Sequence, residues 1–503
     1  MLLRSNESTS SSSSSSDASP RYRDAPLQTI STLPPGIAHI IVNEGAERFS
    51  FYGMKAILTV FLTSGLGLGP SKAREYYHAF TMAVYLFPLG GALIAEVWLG
   101  KYKTIMYFSV VYCAGHLALS LNESLNGFVL GLGLIAVGAG GIKPCVGACL
   151  GDQFGARNHN LLSPTFATFY LAINFGSFAA TLVTPALLQH AGSHLAFGVP
   201  GILMAVATVT FFLGRYKYAH IRPSGPEFLH EVCSMDGLRA LRQLVPLYFF
   251  FSCFWSLYDQ TGSAWVLQAE KLDRRFLGVD WLPSQVAAIN PLLILLLVPV
   301  FNGWLLPIPR RLARCQAIAH GDEHFWARIA VPGIFEIVSW SGVRVTPLRK
   351  IGVGFLLLAA SFAIPLQLAA RIAAGEQPSI GWQLLAYLIL TSAEILVSIT
   401  GLEFSYTQAP TKMKSAVMSL YLLSTAIGNL FTVLVNVVIT NQDGTAWLSD
   451  VDYYRFFVLL MAGVAVGFVP FAAFYRERSF VQGEDRGENL GTSSTSSSSD
   501  DRL

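Results

Sequence analysis

From residue 36 to residue 475 the chain alternates long apolar stretches with short polar breaks. Twelve stretches reach the roughly 20 residues that a helix needs to cross a bilayer. They are residues 36–64, 76–99, 103–121, 125–152, 164–188, 194–214, 242–268, 283–307, 347–371, 381–405, 413–440 and 453–475. Each is read as a helix, because a lone apolar strand would leave its backbone polar groups unpaired in lipid. The longest clean break, residues 215–241, holds Pro223, Gly225 and Pro226 and divides the chain into six plus six. The pattern predicts an N-terminal six-helix bundle (36–214), a linker (215–241) and a C-terminal six-helix bundle (242–475). Residues 1–35, with a serine-rich run from Ser8 to Ser16, and residues 476–503 read as disordered tails. No cleavable signal peptide is visible.

Composition agrees with the pattern. Of 503 residues, 52% are hydrophobic and 13% charged, against about 25% charged in soluble proteins. This is the profile of an all-α protein of many membrane crossings, with lipid as its surroundings. The net charge of +3 says little by itself, and no nucleic-acid partner is expected. Cys113, Cys145, Cys149, Cys233, Cys253 and Cys315 form no C-x-x-C pair and read as small buried side chains, without a disulfide framework or metal site.

The placement of basic residues gives an orientation. One set of loops carries Lys101, Lys103, Arg157, Arg215, Lys217, Arg222, Arg239, Arg310, Arg311, Arg314, Arg344, Arg349, Lys350, Lys412 and Lys414, with Arg476 and Arg478 beyond the last helix. The opposite set holds mainly Lys72, Arg74, Lys271, Arg274, Arg275 and Arg371. The first set is the cytoplasmic one by the positive-inside rule. Both termini are then cytoplasmic.

Charges inside the apolar segments mark the candidate chemistry. Glu44, Glu47 and Arg48 share one helical face. Each costs roughly 2.5–3.5 kcal/mol at the centre of a membrane helix, so the face must meet protein or a water-filled path. Lys143 lies some 18 residues into its segment. It either snorkels to an interface or joins Arg48 in a cationic pocket for a carboxylate. Glu394 sits mid-helix in the second half, suited to an amine, or to a hydrogen bond with a neighbouring helix. Bases in one half and an acid in the other make a dipolar cavity that fits a short peptide zwitterion. An extended chain spans about 3.5 Å per residue, so fixed charges at both ends favour two or three residues. A peptide carboxylate competing for Arg48 would take the counter-charge of Glu44 and Glu47 and favour their protonation, which links peptide and proton.

Five ordered blocks carry a resemblance. Glu44, Glu47, Arg48, Phe49, Tyr52 and Gly53 form E-x-x-E-R-F-x-x-Y-G. Gly140-Gly141-Ile142-Lys143-Pro144 is followed by Asp152-Gln153-Phe154. Phe166 to Phe178, Phe254 to Ser263, and Glu394 with Thr400 to Tyr406 complete the set. Gly91 to Lys103, with Glu96 where aspartate is usual, then Gly100 and Lys101, is similar to the loop signature of the major facilitator superfamily. Over about residues 36–475 the chain resembles the proton-coupled oligopeptide transporter family. The resemblance implies a major facilitator fold and a proton-coupled symporter importing di- and tripeptides by alternating access. It implies that Arg48 and Lys143 hold the peptide carboxylate and Glu394 the amino terminus. Asn174 and Asn290 would bond the peptide backbone, and Tyr52 and Tyr85 would line the cavity. Glu44, Glu47, His78 and Asp259 would serve proton coupling, with His78 gating against Asp259. Glu96, Gly100 and Lys101 would serve gating. Trp255 or Trp265 either shapes a side-chain pocket or packs.

Further expectations are no cofactor beyond the coupling proton, function as a monomer, and a plasma or cell inner membrane. Residues 308–342 form an amphipathic cytoplasmic insertion between helices 8 and 9, read as an interfacial helix, an accessory element or an artefact of the sequence. A carrier of nitrate or another small metabolite on the same fold, and a non-transporting nutrient sensor, are the alternatives. The chain is not expected to be an enzyme: H-E-x-x-H, G-x-S-x-G and paired aspartates are absent from the sequence.

Overall fold

The structure, a computed structural model, describes residues 22–27, 30–122, 124–155, 157–158, 161–223, 225–226, 234–302, 304–305, 330–331, 333–342, 344–408, 414–441 and 446–475. Of the ends expected to be disordered, 1–35 and 476–503, residues 1–21, 28–29 and 476–503 lie outside the described residues, as do Cys233, Cys315 and most of the 308–342 insertion. The described part of the first end packs on the start of the linker, with Tyr22 stacked on Tyr216 and Asp24 paired with Arg222 at 2.7 Å.

The first half consists of α1 (Ile37–Val60), α2 (Pro70–Ile94), α3 (Lys101–Leu121), α4 (Leu125–Gly151), α5 (Leu162–Ala191) and α6 (Ser193–Leu213). The second half holds α7 (Met235–Tyr258), α8 (Ala264–Ala269), α9 (Ile289–Asn302), α10 (Ile334–Trp340), α11 (Pro347–Ala373), α12 (Gly381–Glu394), α13 (Thr400–Thr407), α14 (Lys414–Ile439) and α15 (Asp450–Phe474). The crossings alternate in direction. The α2–α3, α4–α5 and α6–α7 junctions therefore share one end with the start of α1 and the end of α15 (the tail side), and the α1–α2 and α8–α9 junctions lie at the other (the far side).

Ten of the described helical spans are long and apolar enough to cross a membrane. The crossings outside that set are α1, which carries Glu44, Glu47, Arg48 and Lys55, and α7–α8, which is interrupted by a 3-10 turn over Asp259–Gly262. Their polarity fits helices that face other helices rather than lipid. One apolar core runs from Ile37 to Tyr218 within the first half, and a second from Leu244 to Phe468. Glycines bring α2, α3 and α4 close: a Cβ on Gly91 would strike Gly141 Cα at 2.8 Å, and one on Gly138 would meet Tyr112 Cβ at 2.6 Å. Small residues at such crossings let membrane helices pack backbone to backbone.

Several boundaries differ from expectation. The second crossing begins at Pro70, not 76. Proline suits a first helical position, so Lys72 and Arg74, read as loop charges, lie on the helix. The seventh crossing is broken rather than continuous. The tenth is interrupted by a π turn over Ile395–Ile399 immediately after Glu394. Of the 308–342 insertion, α10 is described, and no residue on it is buried. Trp304–Leu305 pairs antiparallel with Ala330–Val331 at its root.

On the tail side the start of the linker is fixed to the first half. Gln153 exchanges two hydrogen bonds with Ala219, its Oε1 accepting from the amide at 2.8 Å and its Nε2 donating to the carbonyl at 3.4 Å.

Candidate functional site

One turn-by-turn stripe of α1 supplies Glu44, Arg48, Tyr52 and Lys55, with Glu47 beside it. Glu44 is 4% exposed, Glu47 0% and Arg48 8%. Arg48 Nε lies 2.9 Å from Glu44 Oε1 and 2.6 Å from Glu47 Oε2, so one guanidinium neutralises two buried acids. Lys143 of α4 has no carboxylate within ion-pair distance among the described residues. Its Nζ sits 4.2 Å from the ring centroids of both Phe51 and Tyr85, held by cation–π attraction.

Glu394 ends α12 where the π turn starts, a kind of irregularity common at functional positions. Asn290, at the start of α9, donates through Nδ2 to Glu394 Oε2 at 2.7 Å and to Thr391 Oγ1 at 3.0 Å. Tyr258 donates its hydroxyl to Asn290 Oδ1 at 3.4 Å. Asn290, Thr391 and Tyr258 thereby fix the carboxylate against the wall of the second half.

The two halves are joined across their far side by buried polar contacts. Lys55 Nζ meets Asp259 Oδ1 at 2.9 Å. Asn429 of α14 donates to Asp259 Oδ2 at 2.8 Å. His78 of α2 bonds Asn429 Oδ1 through Nδ1 at 2.7 Å and Ser263 Oγ through Nε2 at 2.9 Å. Thr59 donates to the Gly262 carbonyl at 2.6 Å, and Ser71 pairs with Thr440 at 2.5 Å. The 3-10 turn makes this possible by freeing the Gly262 carbonyl from the regular helical ladder.

Two cavities flank the charged elements. A central one of about 100 Å³ is lined by Tyr52 and Lys55 from the first half and by Tyr258, Asp259 and Asn290 from the second. A larger one of about 630 Å³ lies toward the tail side, between Lys143, Glu96 and Lys101 of the first half and Leu402 and Met418 of the second. Small-molecule sites usually measure about 300–1,000 Å³, so of these two the tail-side cavity has room for a bound metabolite. A further cavity of about 620 Å³ lies on the far side, between Val60 and Gln189 of the first half and Glu270 and Arg274 of the second.

The family is settled by comparison. The POT family profile matches residues 102–236 and 231–448. The chain belongs to the POT family. It is 36% identical over 410 residues to peptide transporter 3 of Caenorhabditis elegans, covering 71% of this chain and 54% of the relative. It is 34% identical over 438 residues to solute carrier family 15 member 2 of Homo sapiens, covering 76% and 56%. The chain thus spans about half the length of these curated relatives. Among solved structures, a POT family transporter superposes with a TM-score of 0.74 at 32% identity, covering 88% of this chain and 99% of that one. An auto-inhibited POT family peptide transporter gives 0.75 at 31%, covering 89% and 98%. The major facilitator fold follows for this POT chain.

Within this POT fold the expected residues fall into groups. Glu44, Glu47 and Arg48 meet, with Lys143 on the same side of the first half. Glu394 and Asn290 meet: Asn290 lines the central cavity while its Nδ2 is engaged by Glu394 and Thr391. Asn174 donates to the carbonyl of Tyr170 one turn earlier at 2.9 Å. His78 and Asp259 communicate through Asn429 and are not directly bonded. Trp265 is packed between Phe362 and Tyr387, and forms part of the core. At the tail side, Lys101 pairs with Asp152 at 2.8 Å, and Gly100 takes φ 75°, which only glycine adopts without strain. Sequence reasoning missed Lys55 and Asn429, and named Asp152 only as part of a block, without its pairing to Lys101. Lys55 was within reach, since it stands three residues beyond Tyr52 on the charged stripe. Asn429 carries no charge and no motif that marks it.

Proposed function

We propose that this chain is a proton-coupled symporter that imports di- and tripeptides by alternating access, with both termini cytoplasmic. The observation that carries the reading is the division of buried charge. Arg48 and Lys143 belong to the first half, and Glu394, held by Asn290, to the second. The names of the relatives, peptide transporters among them, support the substrate class.

The peptide carboxylate goes to Arg48 and Lys143 and the amine to Glu394. Lys143 is suited to this because aromatic rings, not an acid, hold it. The carboxylate displaces Glu44 and Glu47 from Arg48, and those acids take up the proton. The buried polar contacts that join the halves across the far side, together with the tail-side cavity, support an inward-facing conformation, in which residues 36–214 and 242–475 rock about the linker. Glu96, Gly100 and Lys101 gate the tail side, with Asp152 as the partner of Lys101. One charge crossing 100 mV supplies about 2.3 kcal/mol, and tenfold accumulation costs about 1.4 kcal/mol. The coupling ion is the proton, no cofactor is required, and the monomer suffices.

The test is uptake of labelled di-alanine by proteoliposomes with and without an inward proton gradient, alongside nitrate and free alanine. Gradient-dependent uptake of the dipeptide alone is the expected result. Absent or gradient-independent peptide uptake refutes the reading, and nitrate uptake selects the small-anion carrier.

A further inference from the structure

Arg74 is a buried cation that the transport site does not use. It lies in the second turn of α2, is 5% exposed, and its Nε finds no hydrogen-bond acceptor. Among the described residues it forms no ion pair. A buried guanidinium without a carboxylate is costly unless something else offsets its lost hydration. Here the offset is the face of Tyr453 in α15, whose ring centroid is 4.3 Å from Arg74 Cζ.

The arrangement crosses the boundary between the halves. Arg74 belongs to the first half, whereas Tyr453 belongs to the second. Arg74 enters a far-side cavity of about 270 Å³ whose remaining walls come mainly from α8, α11 and the start of α15. Two acids, Glu270 and Asp450, line it; neither pairs with Arg74, and Asp450 Oδ2 lies 2.7 Å from Lys271 Nζ. Nothing on α2 itself replaces the ring, so the contact exists only while the far side is closed. Separating α2 from α15 withdraws the guanidinium from Tyr453.

We propose that Arg74 and Tyr453 form a far-side latch, a cation–π contact between the halves that favours the closed far side and so positions the carrier to release substrate on the tail side. This rests on the alternating-access reading above. It differs from the Lys55–Asp259 pair in needing a ring face rather than a charge, and that difference makes it testable.

The experiment is the distance distribution between spin labels at Leu121 and Val279, both exposed and both on the far side, in the purified full chain without substrate. Arg74→Ala and Tyr453→Leu are each expected to raise the ratio of far-side-open to far-side-closed molecules on the order of tenfold. Tyr453→Phe, which keeps the ring and loses the hydroxyl, is expected to match the parent. The double variant Arg74→Ala with Tyr453→Leu is expected to match either single one. An unchanged distribution in Arg74→Ala, a shift toward closure, or a Tyr453→Phe variant behaving like Tyr453→Leu overturns the latch. Size-exclusion profiles identify any variant that fails to fold, and Arg74→Lys, which keeps a cation at the ring, then supplies the comparison, with a smaller shift expected. These distances do not depend on which solute is carried, so failure of peptide uptake and failure of the latch are separate results.

Discussion

Lys55 of α1 and Asp259 at the broken end of α7 form a 2.9 Å ion pair that ties the two halves together beside the central cavity. Both side chains are nearly buried, and Asn429 holds the other oxygen of Asp259. The contact can persist only with the far side closed, because its partners come from opposite halves.

Removing one member of a buried pair leaves the other uncompensated, at about 3–5 kcal/mol. Lys55→Ala and Asp259→Ala are each expected to open the far side and reduce uptake by at least an order of magnitude. The exchanged variant, Lys55→Asp with Asp259→Lys, is expected to recover part of the closed population. Cysteine accessibility from the far side reports the change. Equal accessibility in parent and Lys55→Ala would show that the pair does not hold the gate.

Glu47 is fully enclosed and lies 2.6 Å from Arg48. Glu47→Gln keeps the volume and removes the ionisable carboxyl proposed to take up the proton. Gradient-driven accumulation is expected to vanish while counterflow exchange of peptide persists, because exchange needs no net proton movement. The paired measurement is accumulation under an imposed gradient against exchange without one. Accumulation at the parental level would remove Glu47 from the coupling step.

Much of this architecture was legible because lipid imposes it. A crossing must be a helix of about 20 apolar residues, so most of the spans could be read to within a few residues at their ends, the start of the second being six residues late. The failures occur where helices depart from regularity. The break over Asp259–Gly262 falls on the polar run Asp259-Gln260-Thr261-Gly262-Ser263, which reads from the sequence as a motif inside one continuous helix. What decides it is tertiary: Thr59 bonds the Gly262 carbonyl, and Tyr77 packs where a Cβ on Gly262 would lie. The charged stripe of the first half was legible for a related reason. A membrane tolerates so few charges that Glu44, Glu47 and Arg48 announce themselves. Neutral partners such as Asn429 and Thr391 do not, since amides and hydroxyls occur throughout membrane helices with local backbone partners. Arg74 was misassigned because charge near a segment end reads as loop, whereas burial against Tyr453 keeps it on the helix.

Glu394 receives a hydrogen bond from Asn290 and ends the regular part of α12. If it holds the peptide amine, Glu394→Ala removes a charge-assisted bond of about 1.5–3 kcal/mol, which corresponds to roughly tenfold to more than a hundredfold weaker peptide binding. Asn290→Ala is expected to weaken binding less, because Asn290 is neutral and its bond to Glu394 orients the carboxylate rather than supplying the charge. Competition binding with unlabelled di-alanine measures both. Affinity unchanged in Glu394→Ala would assign the amine elsewhere.

Gly91 tests the packing beneath the site without touching its chemistry. A Cβ there would strike the Gly140 carbonyl oxygen and Gly141 Cα, both backbone atoms that cannot rotate away. Overpacking of this kind costs about 1–3 kcal/mol, so Gly91→Ala is expected to lower the melting temperature in detergent by several degrees. The control is Gly133→Ala on α4, where a Cβ meets nothing within 4 Å, and its melting temperature is expected to stay at the parental value. Because α4 also carries Lys143, separating α2 from α4 moves that amine relative to the Tyr85 ring on α2, which lies 4.2 Å away. Gly91→Ala is therefore expected to weaken peptide binding as well, while Gly133→Ala leaves it unchanged. A stable Gly91→Ala variant with parental affinity would mean that the α2–α4 contact is looser than the glycine spacing requires.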